Sequence, residues 1–162
     1  MFKIDKIDRE IVNLLMEDGR MPAADIARRI RGISERIVRY RIKRLVDEDV
    51  IKISAVVNPR ALGFSVVADV FIEVEPSAIL DVARWLARQQ AVSYVACSIG
   101  ERDLSVQVIA RNNAEVYAFA TELIGKLPGV RKTTTSIVPI VLKDVYEWRI
   151  PDSDFSDLSV KE

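Results

Sequence analysis

The order of strand-like and helix-like segments between Val66 and about Lys143 constrains the fold more than any other feature of this sequence. Runs rich in β-branched residues predict strands, and apolar residues at helical spacing predict helices. The order is strand, helix, strand, strand, helix, strand, which is typical of the ferredoxin-like plan, a four-stranded antiparallel sheet covered by helices on one face. The predicted strands cover residues 66–75, 92–99, 104–110 and 130 to about 143.

The two predicted helices of this region begin at capping residues, Ser77 and Asn112, and the second ends at Pro128-Gly129. Pro139 predicts an edge or a bulge in the last strand. Many strand positions on the uncovered face of the sheet are apolar or small, which predicts a second copy of the chain as its cover. The predicted apolar faces are Ile79, Ala83, Leu86 and Ala87 in the first helix, and Val116, Phe119, Ala120, Leu123, Ile124 and Leu127 in the second.

The first sixty residues have helical periodicity instead. Ile7, Ile11, Leu14 and Leu15 predict a first helix that has Asp5 or Asp8 near its start and ends at Asp18-Gly19. A short second helix is predicted to begin at Pro22 and to end before Gly32, and Ser34 is predicted to cap a third. On a helical wheel the third helix has two opposite faces. Its apolar face is Val38, Ile42, Leu45 and Val46, and its polar face is Arg36, Arg39, Tyr40 and Lys43.

The distribution of charge favours a nucleic-acid partner, although the formal net charge of the chain is zero. Residues 20–44 carry nine basic and two acidic side chains, a local charge of +7 that suits phosphates. Two short helices joined by a glycine-containing turn, the second with a basic outer face, are typical of a helix-turn-helix. An ordinary three-helix bundle with a solvated face is the alternative. The segment Val50 to Val57 is predicted to form a strand, as the wing or hinge.

Composition narrows the remaining function classes. The chain has no His and one Cys, and it has neither a glycine-rich phosphate loop nor a nucleophile motif, so we expect no catalytic residues, metal site or cofactor. Cys97 lies in an apolar stretch and is predicted to be a small buried residue. No apolar run is long enough for a membrane span, and the charged start does not resemble a signal peptide, so we expect a cytoplasmic protein without a membrane partner.

The chain resembles the Lrp/AsnC (leucine-responsive/asparagine regulator) family of prokaryotic transcription regulators over nearly its whole length. Each matching motif is weak alone, and their order and spacing make the series specific. In the N-terminal part the motifs are Ile7-Asp8-Arg9-Glu10-Ile11, Asp18-Gly19-Arg20, Ile26-Ala27, Gly32-Ile33-Ser34, Val38, Arg41-Ile42 and Leu45. Further along they are Val50-Ile51, Ala55, Leu62-Gly63, Gly100-x-x-Asp103 and Leu127-Pro128-Gly129-Val130-x-x-Thr133-x-Thr135.

The resemblance implies an α+β protein with an N-terminal winged helix-turn-helix and a C-terminal ferredoxin-like domain of the ACT-like (RAM) type. We therefore expect a DNA-binding domain over residues 1–52, a strand or hinge linker over 53–63, an effector-binding and oligomerisation domain over 64–150, and a flexible tail over 151–162. It also implies a homodimer that assembles into an octamer. Asp49 departs from the usual Gly at the end of the third helix, but Asp tolerates a left-handed conformation.

The candidate site residues follow from these expectations. We expect the third helix to contact a double-stranded DNA operator, and Arg41 has a structural link within the domain as its alternative role. The effector is predicted to be an amino acid held at the hairpin turn, where Asp103 would accept from its ammonium and Arg102 would donate to its carboxylate. The DNA-binding candidates are Ser34, Glu35, Arg36, Arg39, Tyr40, Arg41 and Lys43. The effector-binding candidates are Gly100, Glu101, Arg102, Asp103, Thr133 and Thr135.

Two other functions compete with this one. A stand-alone ACT-like amino-acid sensor would lack DNA binding, and the basic third helix argues against it. The haem-pathway decarboxylases resemble the same family, but they rely on His residues, and this chain has none. We therefore expect a regulator and not an enzyme.

Overall fold

The computed structural model describes residues 3–151, which fall into two compact units. The first unit combines the residues up to Val56 with the segment that starts at Lys143. The second unit runs from Val57 to Leu142. The segment 143–151, expected in the C-terminal domain, therefore groups with the N-terminal unit. The tail predicted after Pro151 lies outside the described residues.

In the described part of the first unit there are three α-helices: α1 (Lys6–Glu17), α2 (Ala23–Arg29) and α3 (Glu35–Asp47). Asp5 caps α1 and forms a capping box with Asp8, and the Ser34 side chain caps α3 by accepting from the N–H of Ile37 at 3.4 Å. Pro22 was predicted to be the first residue of α2, but it is the N-cap, so the helix begins one residue later. Asp49 has φ 55°, so it adopts the left-handed conformation expected of it.

The core of the first unit comes from the predicted apolar faces. Ile11, Ile26, Val38 and Leu45 are fully buried in one cluster. Val46 is 42% exposed, so its predicted place in this face is wrong. It lies about 100° around the helix from Leu45, too far to reach the same cluster.

The predicted strand over residues 50–57 is wrong within the described chain, because residues 51–58 have no regular secondary structure. A strand requires a hydrogen-bonded partner, and the N–H groups of Val50 and Ile51 instead donate to the carbonyl of Leu45. Val56 and Val57 are more than half exposed. Within the described residues, this segment therefore adds no wing strand to the helix-turn-helix.

The chain returns to the first unit after the sheet. A 3-10 turn covers Val145–Glu147, and Ile150 packs against the core of α1, α2 and α3. Arg9 Nη1 also donates to the carbonyl of Pro151 at 3.4 Å. The first unit is thus made from two separate stretches of sequence.

The second unit is an antiparallel sheet in the order β2-β3-β1-β4, as the ferredoxin-like plan predicts. The strands are β1 (Val66–Val74), β2 (Val92–Cys97), β3 (Leu104–Ala110) and β4 (Val130–Val138). The helices are α4 (Ile79–Leu86) and α5 (Asn113–Ala118). β4 ends before Pro139, so the predicted continuation to residue 143 is wrong, since proline cannot donate to the ladder.

The helices of this unit differ in detail from their prediction. Ser77 lies inside a 3-10 turn, Pro76–Ala78, and caps no helix. Ala87 was predicted to belong to the buried face of α4, but it is exposed, and Val82 is buried in that face instead. Asn112 does cap α5, and the helix continues as a π-helical turn, Phe119–Leu123. This change of period leaves Leu123 48% exposed.

One face of the sheet packs on the helices. Alternate residues of β1 and β3 are buried there, among them Val70, Ile72, Leu104 and Val106. Cys97 lies at the end of the edge strand β2 and is exposed, so its predicted burial is wrong. The apolar residues around Cys97 in the sequence suggested a core position. An edge strand has a neighbouring strand on one side only, so a residue at its end can remain exposed.

Candidate functional site

The outer face of α3 carries the predicted DNA-binding side chains. Arg36, Arg39 and Lys43 are exposed, and Tyr40 is 65% exposed. The helix presents them together because residues three and four apart share a face, while Val38 and Leu45 anchor the opposite face in the core. The result is an exposed basic surface on a helix whose position is fixed by packing.

Most of these cations have exposed carboxylate partners on the same helix. Arg39 Nη2 lies 2.5 Å from Glu35 Oε1, and Lys43 pairs with Asp47. Such i,i+4 pairs are weak in water, so a phosphate or a base can replace the carboxylate at little cost. Arg36 has no ion pair within residues 3–151. These three side chains are therefore available to a polyanion.

Arg41 lies on the inner side of α3 and has a different environment. Its Nη1 donates to Asp5 Oδ2 at 2.6 Å and to Asp8 Oδ1 at 2.8 Å. Burial lowers the pKa of Arg41, but the hydrogen bonds that its guanidinium donates to both carboxylates outweigh burial, so the pKa is raised above its usual value. The structural link is thus the role that the geometry supports for Arg41.

Part of this cluster was not predicted from the sequence. Arg44 Nη2 donates to Asp8 Oδ2 at 2.6 Å, and Asp8 is fully buried. A signal was present, because Asp5 and Asp8 are three residues apart, as are Arg41 and Arg44. Two such pairs on adjacent helices can match one another.

The turn between α2 and α3 is short and depends on Gly32. Its φ is +87°, a left-handed conformation that side chains other than Gly rarely adopt. Ser34 follows at once as the cap of α3. Gly32 therefore lets the chain turn sharply between the two helices.

At the hairpin turn of the second unit, Asp103 has structural contacts. Its Oδ2 accepts from the N–H of Val74 at 2.7 Å and lies 3.7 Å from Arg131 Nη2. Its own N–H donates to the carbonyl of Ile72 at 3.0 Å. These bonds attach the turn to β1. Oδ1 accepts no hydrogen bond from residues 3–151.

The other effector candidates divide between the two faces of the sheet. The Arg102 guanidinium lies 4.3 Å from the centre of the Phe71 ring, on the face away from the helices. Thr133 and Thr135 pair with Ile72 and Val70, which are buried on the helix side. The single chain therefore does not bring the threonines and Arg102 together. Gly100 and Glu101 are exposed in the turn.

A cavity of about 580 Å³ lies at the opposite end of β3 from this turn. Its lining includes Phe64, Ala91, Arg111, Phe119 and Leu123. The Arg111 guanidinium lies 4.6 Å from the centre of the Phe64 ring. None of the predicted effector residues lines this cavity.

Residues 3–151 contain no cluster of three or more side chains suited to hold a metal ion. Within the same residues, no helix is both long and apolar enough to cross a membrane.

Two family models match the two regions described above. The AsnC-type helix-turn-helix domain matches residues 4–46, and the Lrp/AsnC ligand-binding domain matches residues 67–147. The chain belongs to the Lrp/AsnC family. This Lrp/AsnC protein is therefore a transcriptional regulator with a DNA-binding helix-turn-helix and a ligand-binding domain.

Similar proteins from Pyrococcus support this assignment. An HTH-type transcriptional regulator of Pyrococcus abyssi is 39% identical over 142 residues, which cover 87% of this chain and 89% of the relative. The regulator FL11 of the same organism is 36% identical over 148 residues, 91% of this chain and 97% of the relative. Both relatives are named as transcriptional regulators and not as enzymes.

Solved structures show the same fold at lower identity. Escherichia coli AsnC is 20% identical, with a TM-score of 0.81, and the match covers 90% of this chain and 99% of AsnC. A transcriptional regulator of Neisseria meningitidis, in complex with L-Met, is 21% identical with the same TM-score, and the match covers 88% of this chain and 94% of that one. The α+β fold of this Lrp/AsnC protein is thus shared with both.

Proposed function

We propose that α3 enters the major groove of an operator and reads its sequence through Arg36, Arg39, Tyr40 and Lys43. The observation that carries this proposal is the exposed basic face of a helix whose other face is fixed in the core. Ser34 and Glu35 begin the same helix. We assign Arg41 to the internal cluster with Asp5 and Asp8.

The test is a gel-shift titration of the full chain against its own upstream region and a random duplex of equal length. If the arginine contacts a base, Arg36→Ala or Arg39→Ala should lose about 1–3 kcal/mol of binding free energy for the operator. If it contacts a phosphate, the variant should bind both duplexes more weakly and by the same factor. Arg84→Ala is the matched control, because Arg84 is exposed and paired with a neighbouring carboxylate on α4. Parental affinity in both variants would contradict the proposal.

We further propose that the ligand of the second unit is an amino acid bound at the turn from Gly100 to Asp103. Asp103 Oδ1 and the Arg102 guanidinium offer an acceptor and a donor of the kinds that a zwitterion needs. The L-Met complex of the Neisseria regulator supports an amino acid as the class of ligand. Thr133 and Thr135 could take part only from a second chain, because they lie on the other face of the sheet.

Calorimetry of the full chain with each of the twenty amino acids tests this site. Asp103→Asn keeps an acceptor for the Val74 N–H but removes the charge, so it should abolish binding while the fold survives. Asp81→Asn, an exposed carboxylate on α4, is the control. Absence of binding to the parent, or parental binding by Asp103→Asn, would contradict the proposed site.

The sheet face away from the helices is proposed to pair with a second chain, and dimers to assemble further into an octamer. Phe71 and Ile109 lie on this face and are partly exposed. In the dimer, the sheet of the second chain would cover them. Ile109→Glu should reduce the sedimentation coefficient of the full chain to that of a monomer, whereas Ile99→Glu, at an exposed turn, should not. A parent that sediments as a monomer at micromolar concentration would contradict dimerisation. We also propose that the protein acts in the cytoplasm.

A further inference from the structure

The cavity at the far end of β3 from the hairpin turn has no role in the function proposed above. All its lining residues belong to the second unit, and its volume of about 580 Å³ falls in the usual range of small-molecule sites, roughly 300–1,000 Å³. One wall is formed by α5 and the π-helical turn that continues it. The lining residues of this wall recur at helical spacing, so they share one face: Glu115, Ala118, Phe119, Glu122 and Leu123.

The apolar part of the lining is only partly used by the core. Phe119 is 8% exposed and packs in the core, whereas Leu123, one turn further along, is 48% exposed and borders the cavity. Ala91, just before β2, also lines the cavity, and its carbonyl accepts from the N–H of Ile109 at 2.8 Å, which holds it beside β3. An apolar group in the cavity would remove Leu123 from contact with water.

Arg111 is held at the cavity by its own backbone. Its N–H donates to Glu115 Oε2 at 2.9 Å, and its carbonyl accepts from the Ser65 hydroxyl at 3.2 Å. The guanidinium lies 4.6 Å from the centre of the Phe64 ring. Within the described part of the chain, this guanidinium forms no ion pair with a carboxylate. Its donors are therefore available to a carboxylate of a ligand.

The two carboxylates that line the cavity differ in their contacts. Glu115 accepts from the Arg111 N–H through Oε2 and from Asn112 Nδ2, at 3.4 Å, through Oε1, so it belongs to the cap of α5. Glu122 accepts no hydrogen bond and forms no ion pair among residues 3–151. A carboxylate without a protein partner is a suitable acceptor for an ammonium group.

We propose that this cavity is a second ligand site, which binds an amino acid with a large apolar side chain. Arg111 donates to the ligand carboxylate, Glu122 accepts from its ammonium, and the side chain of the ligand covers Leu123. The pair of opposite charges suits a zwitterion better than a simple acid, which Glu122 would repel, or a simple amine, which Arg111 would repel. The site shares no residue with the turn from Gly100 to Asp103, so each site can exist without the other.

The experiment is an NMR titration of the full chain carrying Asp103→Asn, which removes the proposed site at the turn. L-Phe, L-Leu and L-Met are titrated first. The tightest of them is then compared with two analogues, the acid without the ammonium and the amine without the carboxylate. The amino acid should bind about tenfold more tightly than either analogue, because each analogue lacks one charged hydrogen bond. No binding by any of the three amino acids would overturn the proposal.

Two further substitutions test the role of each charge. Arg111→Met keeps an apolar stem against Phe64 but removes the donors, so it should weaken the amino acid and the acid about tenfold and leave the amine unchanged. Glu122→Gln should weaken the amino acid and the amine and leave the acid unchanged. Arg84→Met, on the exposed surface of α4, is the control and should change none of them. Equal weakening of all three compounds would indicate a structural defect and overturn the assignment.

Calorimetry with the single variants separates this site from the one at the turn. If both sites exist, Asp103→Asn loses binding at the turn and keeps the cavity site. Binding that is lost in Asp103→Asn and kept in Arg111→Met would support the turn and overturn the cavity site. The opposite result would support the cavity and contradict the site at the turn.

A cavity-filling variant distinguishes a ligand from a second copy of the chain as the occupant. Leu123→Trp should fill the cavity and abolish binding in the Asp103→Asn background, and its sedimentation coefficient should equal that of the parent. A smaller sedimentation coefficient would show that the cavity is a contact between chains, and would overturn the proposal. If Leu123→Trp does not fold, Glu122→Gln still decides the question, because Glu122 is exposed and makes no hydrogen bond that the fold requires.

Discussion

The two units of this regulator differ in how their candidate sites are made. In the first unit, one helix supplies the whole candidate surface, and Arg36, Arg39 and Lys43 lie side by side on it. In the second, Arg102 lies on one face of the sheet and Thr133 and Thr135 on the other. One chain therefore brings the candidate DNA-binding residues together on one surface, whereas it leaves the candidate effector residues on opposite faces of a sheet.

The strongest way to break this comparison is to damage each core in turn. Leu45→Ala and Leu104→Ala each remove a fully buried leucine, one from each unit, and should each lower the free energy of unfolding by about 2–5 kcal/mol. If the units fold separately, Leu45→Ala lowers the melting temperature of the first unit alone and Leu104→Ala that of the second. Calorimetric scans of both variants measure this. One shared transition that moves equally in both would show that the units fold as one.

Two glycines in left-handed conformations offer a smaller comparison. Gly129→Ala combines a φ of +84° with a Cβ only 2.4 Å from the Cβ of Ala78, so both strain and overpacking should destabilise the second unit, by about 2–4 kcal/mol. Gly32→Ala has a similar φ of +87° but no atom within 4 Å of the new Cβ, so only strain of about 1–2 kcal/mol should remain. Chemical denaturation measures both. Equal losses of unfolding free energy in the two variants would mean that Ala78 moves away from the new Cβ without cost.

The smallest effect is expected on acidification. Burial raises the pKa of Asp5, but hydrogen bonds from the Asp8 N–H and from Arg41 outweigh it, so the pKa is lowered. Ionised Asp5 therefore stabilises the folded first unit above its unfolded pKa, near 4, and this contribution disappears as the pH falls through the folded value. Between about pH 5 and 3, the melting temperature of the first unit should fall more in the parent than in Asp5→Asn. Parallel curves for the two proteins would exclude this contribution.

Local spacing explains why the sequence predicted the helices of the first unit so closely. A capping residue such as Ser34 and an apolar face such as that of Val38 and Leu45 are set by neighbours within one or two turns. The segment 50–57 has β-branched residues as well, but whether it pairs depends on a partner strand that the segment itself does not contain. Its composition alone could not decide that.

The same reasoning applies to the candidate sites. Alternation shows that Thr133 and Thr135 share a face, but the face itself depends on the register with β1, which includes a shift between Glu73 and Val74. The structural role of Asp103 likewise depends on the approach of Val74 from another strand. The ion cluster of Asp8 lay closer to prediction, because both of its spacings are visible in the sequence.

The return of the chain to the first unit makes the second unit an insertion. Ile150 can pack on the helical core only if the chain between Val57 and Leu142 brings its two ends to suitable places. When the second unit is folded, that closure is already made, and when it unfolds, the closure must be made by a long flexible loop at an entropic cost. A ligand that stabilises the second unit would therefore also favour docking of Ile150 in the first. The covalent path of the chain is sufficient to carry this thermodynamic coupling.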